Sequence, residues 1–202
     1  MTSTVPSAMS FAEAMRELAR IGATLTDRER VSIDRLGYDH LPHPLVQEGA
    51  QRLSLLLQGK SEDVTAENIW WAVEELAYTT DREHFSPAAI GVLALAQLCM
   101  YLELQPPSRW PTIQTASRDV VAALPHLNPA ALTHIRDLVE RLTRTMRLEN
   151  DDEAKALGVL LEAVTCTMNV HGQHSASSSE RAKLLKTISK DATTRIRSLE
   201  QF

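Results

Sequence analysis

An all-α fold is predicted, on three observations. Aromatic residues make up only 4% of the chain and glycine occurs 7 times, and the Val/Ile/Thr/Tyr alternation of half-buried strands is nearly absent. Ala, Leu, Glu and Arg, all good helix formers, recur between residues that cap helices. Apolar positions return every three or four residues, the period of a helix with one buried side. With 202 residues, 44% of them hydrophobic, the chain has apolar material for one packed domain.

The helix starts follow from local chemistry. A Ser, Thr or Asn followed three residues later by Glu lets each side chain accept from the other residue's backbone N–H, which satisfies two amides that the helix itself leaves bare. Ser10 with Glu13, Thr26 with Glu29 and Asn150 with Glu153 fit this pattern. Ser86-Pro87 and Asn128-Pro129 mark two further starts, where proline at the first helical position gives up no hydrogen bond. About nine helices are expected, over 10–23, 27–36, 44–58, 66–80, 87–105, 112–124, 129–148, 151–170 and 179–200. Gly37 and Gly59 are expected to close the second and third as left-handed caps.

Two of these helices differ in character. After Pro129, Leu132, Ile135, Leu138, Val139, Leu142 and Met146 line one face and Arg136, Glu140, Arg141 and Arg144 the other, so this helix should be half exposed. After Pro87, apolar residues surround the helix (Ile90, Val92, Leu93, Leu95, Leu98, Met100, Leu102), which requires neighbours on several sides and makes it the expected centre.

Prolines at helix starts fall at Pro44, Pro87 and Pro129, spacings of 43 and 42 residues, each followed by a second helix. That spacing suits either a single helical bundle or a short stack of antiparallel hairpins with a HEAT-like period near 42 residues. Residues 1–9 are expected as a disordered tail and 10–202 as one domain, with the last helix, 179–200, joined through a flexible Ser-rich loop over 171–179. On that helix Ala182, Leu185, Ile188, Ala192, Ile196 and Leu199 share one face and Lys183, Lys186, Lys190 and Arg197 another. Its apolar face is expected on the chain's own core, with another subunit or an anionic surface as alternatives.

The formal charge of −5 gives no basic footprint of the kind that binds nucleic acid. Charge is unevenly placed: residues 60–105 hold two bases and eight acids, and residues 178–202 six bases and three acids. The most apolar stretch, 88–102, is interrupted by Gln97 and falls short of the roughly 20 residues a bilayer span needs. Cys99 and Cys166 sit in apolar helical runs without a basic neighbour to activate them. A reduced pair and a cytoplasmic location are expected.

Signs of catalysis are few. There is no G-x-S-x-G elbow, no Gly-rich phosphate loop and no H-E-x-x-H helix. His40 with His43 and His171 with His174 could each supply two nitrogen ligands across a short turn, but the plainer reading is three solvated loop histidines and one, His171, held by a helix C-terminus. No cofactor is expected. The surface with most to offer lies on the helix over 66–80, where Glu67, Trp71, Glu74, Glu75 and Tyr78 share a side away from Ile69, Val73, Leu76 and Ala77. Trp and Tyr interleaved with carboxylates suit a basic protein partner, as in an immunity protein, an antitoxin or an adaptor. The competing reading packs Trp71 and Tyr78 under a neighbouring helix. A secreted bacterial effector, hinted at by the polar N-terminus, and a His-dependent metal enzyme are the other functions compatible with the sequence, and a homo-oligomer is compatible with any of them.

Overall fold

The computed structural model describes residues 8–26, 28–29, 44–60, 64–78, 85–103 and 111–200, with every side chain among them except those of Val46, Glu75, Leu76, Ala77 and Tyr78. Among the described residues there are eight α-helices and no strand. They are α1 (Phe11–Ala23), α2 (Pro44–Leu57), α3 (Ala66–Tyr78), α4 (Pro87–Met100), α5 (Ile113–Ala123), α6 (Pro129–Thr145), α7 (Asp151–Gly172) and α8 (Ser178–Ser198), with a 3-10 turn at Leu124–His126. The helix expected over 27–36, with its cap Gly37, lies outside the described residues apart from Arg28 and Glu29, which are helical.

The starts form as the local chemistry dictates. Ser10 and Glu13 make a reciprocal capping box at α1, and Thr26 and Glu29 exchange the same two bonds at 2.8 and 3.3 Å. Ser86 and Asn128 each accept from the amide three residues on, ahead of Pro87 and Pro129. Two further boxes escaped notice in the sequence: Ser177 with Glu180 at α8, and Thr65 with Asn68 at α3, where Asn takes the place of Glu. At α7 the expected box is only half made. Asn150 accepts from the amides of Asp152 and Glu153 at 3.0 Å each, but Glu153 reaches past it to the amide of Glu149, at 2.6 Å. Gly59, at φ +69°, closes α2, and the amides of Gly59 and Lys60 turn back to the carbonyls of Leu56 and Leu55, both at 2.9 Å.

Each of the three prolines opens a helical hairpin: α2 packs on α3, α4 on α5, and α6 on α7. Helix α1 lies across the first helix of every hairpin, touching α2, α4 and α6. In a regular stack those first helices would lie on one another; here α1 is inserted among them, so the fold is a bundle built from hairpins. Antiparallel to α6, α1 is tied along its length: the Met9 amide donates to Thr145 Oγ1 at 3.0 Å, Arg141 donates to Glu13 at 3.0 Å, and Asn128 Nδ2 donates to the Thr24 carbonyl at 2.8 Å. Met9, assigned by the sequence to the tail, is therefore core, 3% exposed.

Helix α4 is central, as its apolar circumference requires. Every residue from 91 to 100 is buried, and α1, α3, α5 and the 3-10 turn all pack on it. The helix ends at Met100, not 105, because the amides of Tyr101, Leu102 and Glu103 bond three residues back instead of four, and the Tyr101 hydroxyl donates to the Pro111 carbonyl at 2.8 Å. Gly91 permits its contact with α5: a Cβ there would stand 2.4 Å from that of Ala123. Helix α6 buries Leu132, Ile135, Leu138, Val139 and Leu142 and turns its charged side outward.

The expected loop over 171–179 is shorter than its composition suggests. α7 runs through His171 to Gly172 and α8 starts at Ser178, leaving five residues between. Helix α8 then docks on α5 and α7. Leu185, Ala192 and Ile196 are buried, Ser189 Oγ donates to the Val121 carbonyl at 3.0 Å, Arg195 donates to Glu162 at 2.9 Å, and Glu200 accepts from Thr115 and Arg118. Ala182 of its expected inner face is exposed.

Candidate partner-binding surface

Over residues 66–74, where its side chains are described, helix α3 buries one broad side and leaves another to solvent. Ala66, Ile69, Ala72 and Val73 are at most 1% exposed and hold α3 against α2 and α4. Trp70 packs half-buried on the same core. Trp71, the next residue, is rotated by about 100° around the helix and points away, with 46% of its surface exposed. Glu67, one turn before Trp71 on the same side, is exposed too. Trp71 is thus among the exposed side chains of the described residues.

The five-residue stripe expected from the sequence is only partly assembled. Glu67 and Trp71 stand together at the surface, but Glu74 is 6% exposed and belongs to the interior. It lies one turn beyond Trp70, and it follows that residue inward. The side chains of Glu75 and Tyr78 lie outside the described residues.

On the neighbouring helix α2, Leu45 is exposed as well, at 49%. Helices α2 and α3 meet closely at Gly49, where a Cβ would come within 2.9 Å of the Asn68 carbonyl oxygen and 3.1 Å of the Ala72 Cβ. Leu45 lies one turn before Gly49 on the same side of α2, and α3 runs the other way, which sets Leu45 within about one turn of the level of Trp71. Leu45, Trp71 and, on α8, Leu184 at 42% are the large hydrophobic side chains most open to solvent among the described residues. The sequence did not single out Leu45 or Leu184. Their signal was slight: Leu45 directly follows the opening proline of α2, and Leu184 lies off the inner period of α8.

The other candidate groups are scattered. His40 and His43 lie outside the described residues; His171 is half-buried in the last turn of α7 and His174 is exposed in the following link. No group of three His, Cys, Asp or Glu side chains able to hold a metal ion occurs among the described residues. The acids over 150–153 serve α7 itself, with Asp152 also accepting from Lys155 at 2.9 Å. Cys99 is wholly buried in α4, and burial pushes its thiol up to about 12, while Cys166 is half-buried on α7 and both are free. Among the described residues no helix is long and apolar enough to cross a membrane. No protein-family model matches the chain, and no curated protein and no solved structure matches it.

Proposed function

We propose that the chain is a non-enzymatic protein-binding module, of the immunity, antitoxin or adaptor kind, which offers the outer side of the α2–α3 hairpin to a basic partner. The observation that carries this reading is Trp71, an indole 46% exposed on a helix that buries Ala66, Ile69, Ala72 and Val73 on its other side. Tryptophan in that setting provides large contact area while losing few rotamers on binding. Glu67 beside it and Leu45 across the hairpin supply a charge and a second apolar contact, and the acidic balance of residues 60–105 would speed capture of a cationic surface.

The test is mutational mapping with a partner isolated from the native host. Trp71→Ala should weaken binding by about thirtyfold, corresponding to the ~2 kcal/mol of a hot-spot residue. Glu67→Lys should slow association with a basic partner, most strongly at low salt. Both positions are exposed, so both variants should keep the thermal midpoint of the native chain. Unchanged affinity in the two variants removes this hairpin from the binding surface.

A further inference from the structure

We propose that the surface around Trp71 receives helix α8 of a second copy of this chain, so that copies join head to tail. This rests on reading the α2–α3 hairpin as a protein-binding surface and adds what occupies it. The chain itself carries a basic partner of the required kind. On α8, Lys183, Lys186 and Lys190 share the outer side and are exposed, with Leu184 on the adjoining strip. None of the three lysines forms an ion pair among the described residues.

The acids of the same helix, Glu180 and Asp191, lie off the strip that the three lysines share. Glu180 closes the capping box with Ser177 at the start of α8, and Asp191 lies 3.9 Å from Arg195. The opposite polarity is found at the hairpin, where Glu67 is exposed and without an ion pair among the described residues. The hairpin thus sets an exposed acid beside Trp71, and the outer side of α8 presents three lysines unpaired among the described residues, with Leu184 on its flank.

Among the described residues the two surfaces lie on helices with different main packing partners. Helix α8 packs on α5, α7 and the 3-10 turn, while α3 packs on α2 and α4, and the two sets share no helix. The docked α8 therefore presents its outer side to another molecule. Because the two surfaces differ, the contact is heterologous, and copies continue into a ring or a chain instead of stopping at a symmetric pair.

Complementation by two blocked variants tests this with the full chain. The native chain, followed by sedimentation velocity across the micromolar range, should gain mass with concentration, and less so as salt is raised. Trp71→Asp should be monomeric, and so should Leu184→Asp combined with Lys183→Glu. An equal mixture of the two should form a dimer and nothing larger, since each variant supplies the surface the other lacks. A native chain monomeric throughout, association surviving in either variant alone, or a mixture that stays monomeric would each overturn the proposal. The α8 variant keeps the hairpin intact and should bind a foreign partner as the native chain does. If the native chain is monomeric yet still needs Trp71 for that partner, only the second-copy assignment fails.

Discussion

Gly22 of α1 lies against Leu57 of α2 with no room for a side chain: a Cβ on it would stand 2.6 Å from the Leu57 carbonyl oxygen and 2.9 Å from its Cα. These are backbone atoms and cannot swing aside. Gly22→Ala must therefore push α1 away from α2, at a cost of about 1–3 kcal/mol in overpacking that outweighs the ~1 kcal/mol alanine gains in helix propensity. Gly158→Ala is the control. Gly158 is exposed within α7 and a Cβ there meets nothing within 4 Å, so this variant should be more stable by about 1 kcal/mol. Urea denaturation of the two should give shifts of opposite sign.

The close contact of Gly91 with Ala123 makes a reversible pair. A Cβ on Gly91 would stand 2.4 Å from that of Ala123, so Gly91→Ala should destabilise by about 1–3 kcal/mol. Adding Ala123→Gly exchanges the two residues and removes the clash. The double variant should recover most of the loss, giving a coupling of at least ~1 kcal/mol in a double-mutant cycle. Simple additivity would mean that α4 and α5 are not in register here.

Ser117 is fully buried in α5, and its hydroxyl has no hydrogen-bond partner among the described residues. A buried hydroxyl without a partner has given up water for nothing. Ser117→Ala should leave the fold intact and raise stability by about 1 kcal/mol, read as a higher thermal midpoint. A clear loss of stability would show that this hydroxyl is satisfied in solution.

Three carboxylates make the chain acid-sensitive. The Ser10 amide and then Arg141 hold Glu13 below its ordinary value of 4.5, the Arg195 guanidinium does so for Glu162, and the Ser177 amide for Glu180. A group depressed in the folded state contributes its stability in full above its unfolded value and loses it as pH falls through the folded one. Stability should therefore hold above the ordinary value and fall as the pH drops below it. The urea midpoint should fall between about pH 7 and about pH 3, and fall less with Glu13, Glu162 and Glu180 all changed to Gln. Equal falls would place the acid sensitivity elsewhere.

The two thiols should separate cleanly. Cys99 is fully buried, with its thiol pushed up to about 12, so neither thiolate nor access is provided in the folded chain. Thiol labelling followed by mass spectrometry should add one group at Cys166 under native conditions and a second, at Cys99, only in denaturant. Fast double labelling in the native chain would contradict the central place of α4.

What could be foreseen from sequence was local. A cap needs residues only two or three apart, so Ser10, Ser86 and Asn128 announced their helices correctly, and Thr26 made the expected bonds with Glu29. The missed boxes at Thr65 and Ser177 are equally local. Helix α4 was recognisable as central because a helix apolar on every side has nowhere else to go. The three prolines marked three real hairpins, yet spacing along the chain carried no sign that α1 would lie between their first helices.

The candidate surface divides in the same way. That Glu67 and Trp71 share a side of α3 follows from the helical turn alone, and the sequence by itself determined it, together with the helical class and most helix starts. Whether that side meets water or protein depends on which distant helices arrive beside it. Only the tertiary structure decided that Trp71 stays exposed while Glu74, one turn on from Trp70, is buried. It likewise decided that Met9 joins the core and that Leu184 does not. Helix formation is settled by hydrogen bonds between near neighbours, whereas burial is settled by long-range packing, which no local pattern encodes.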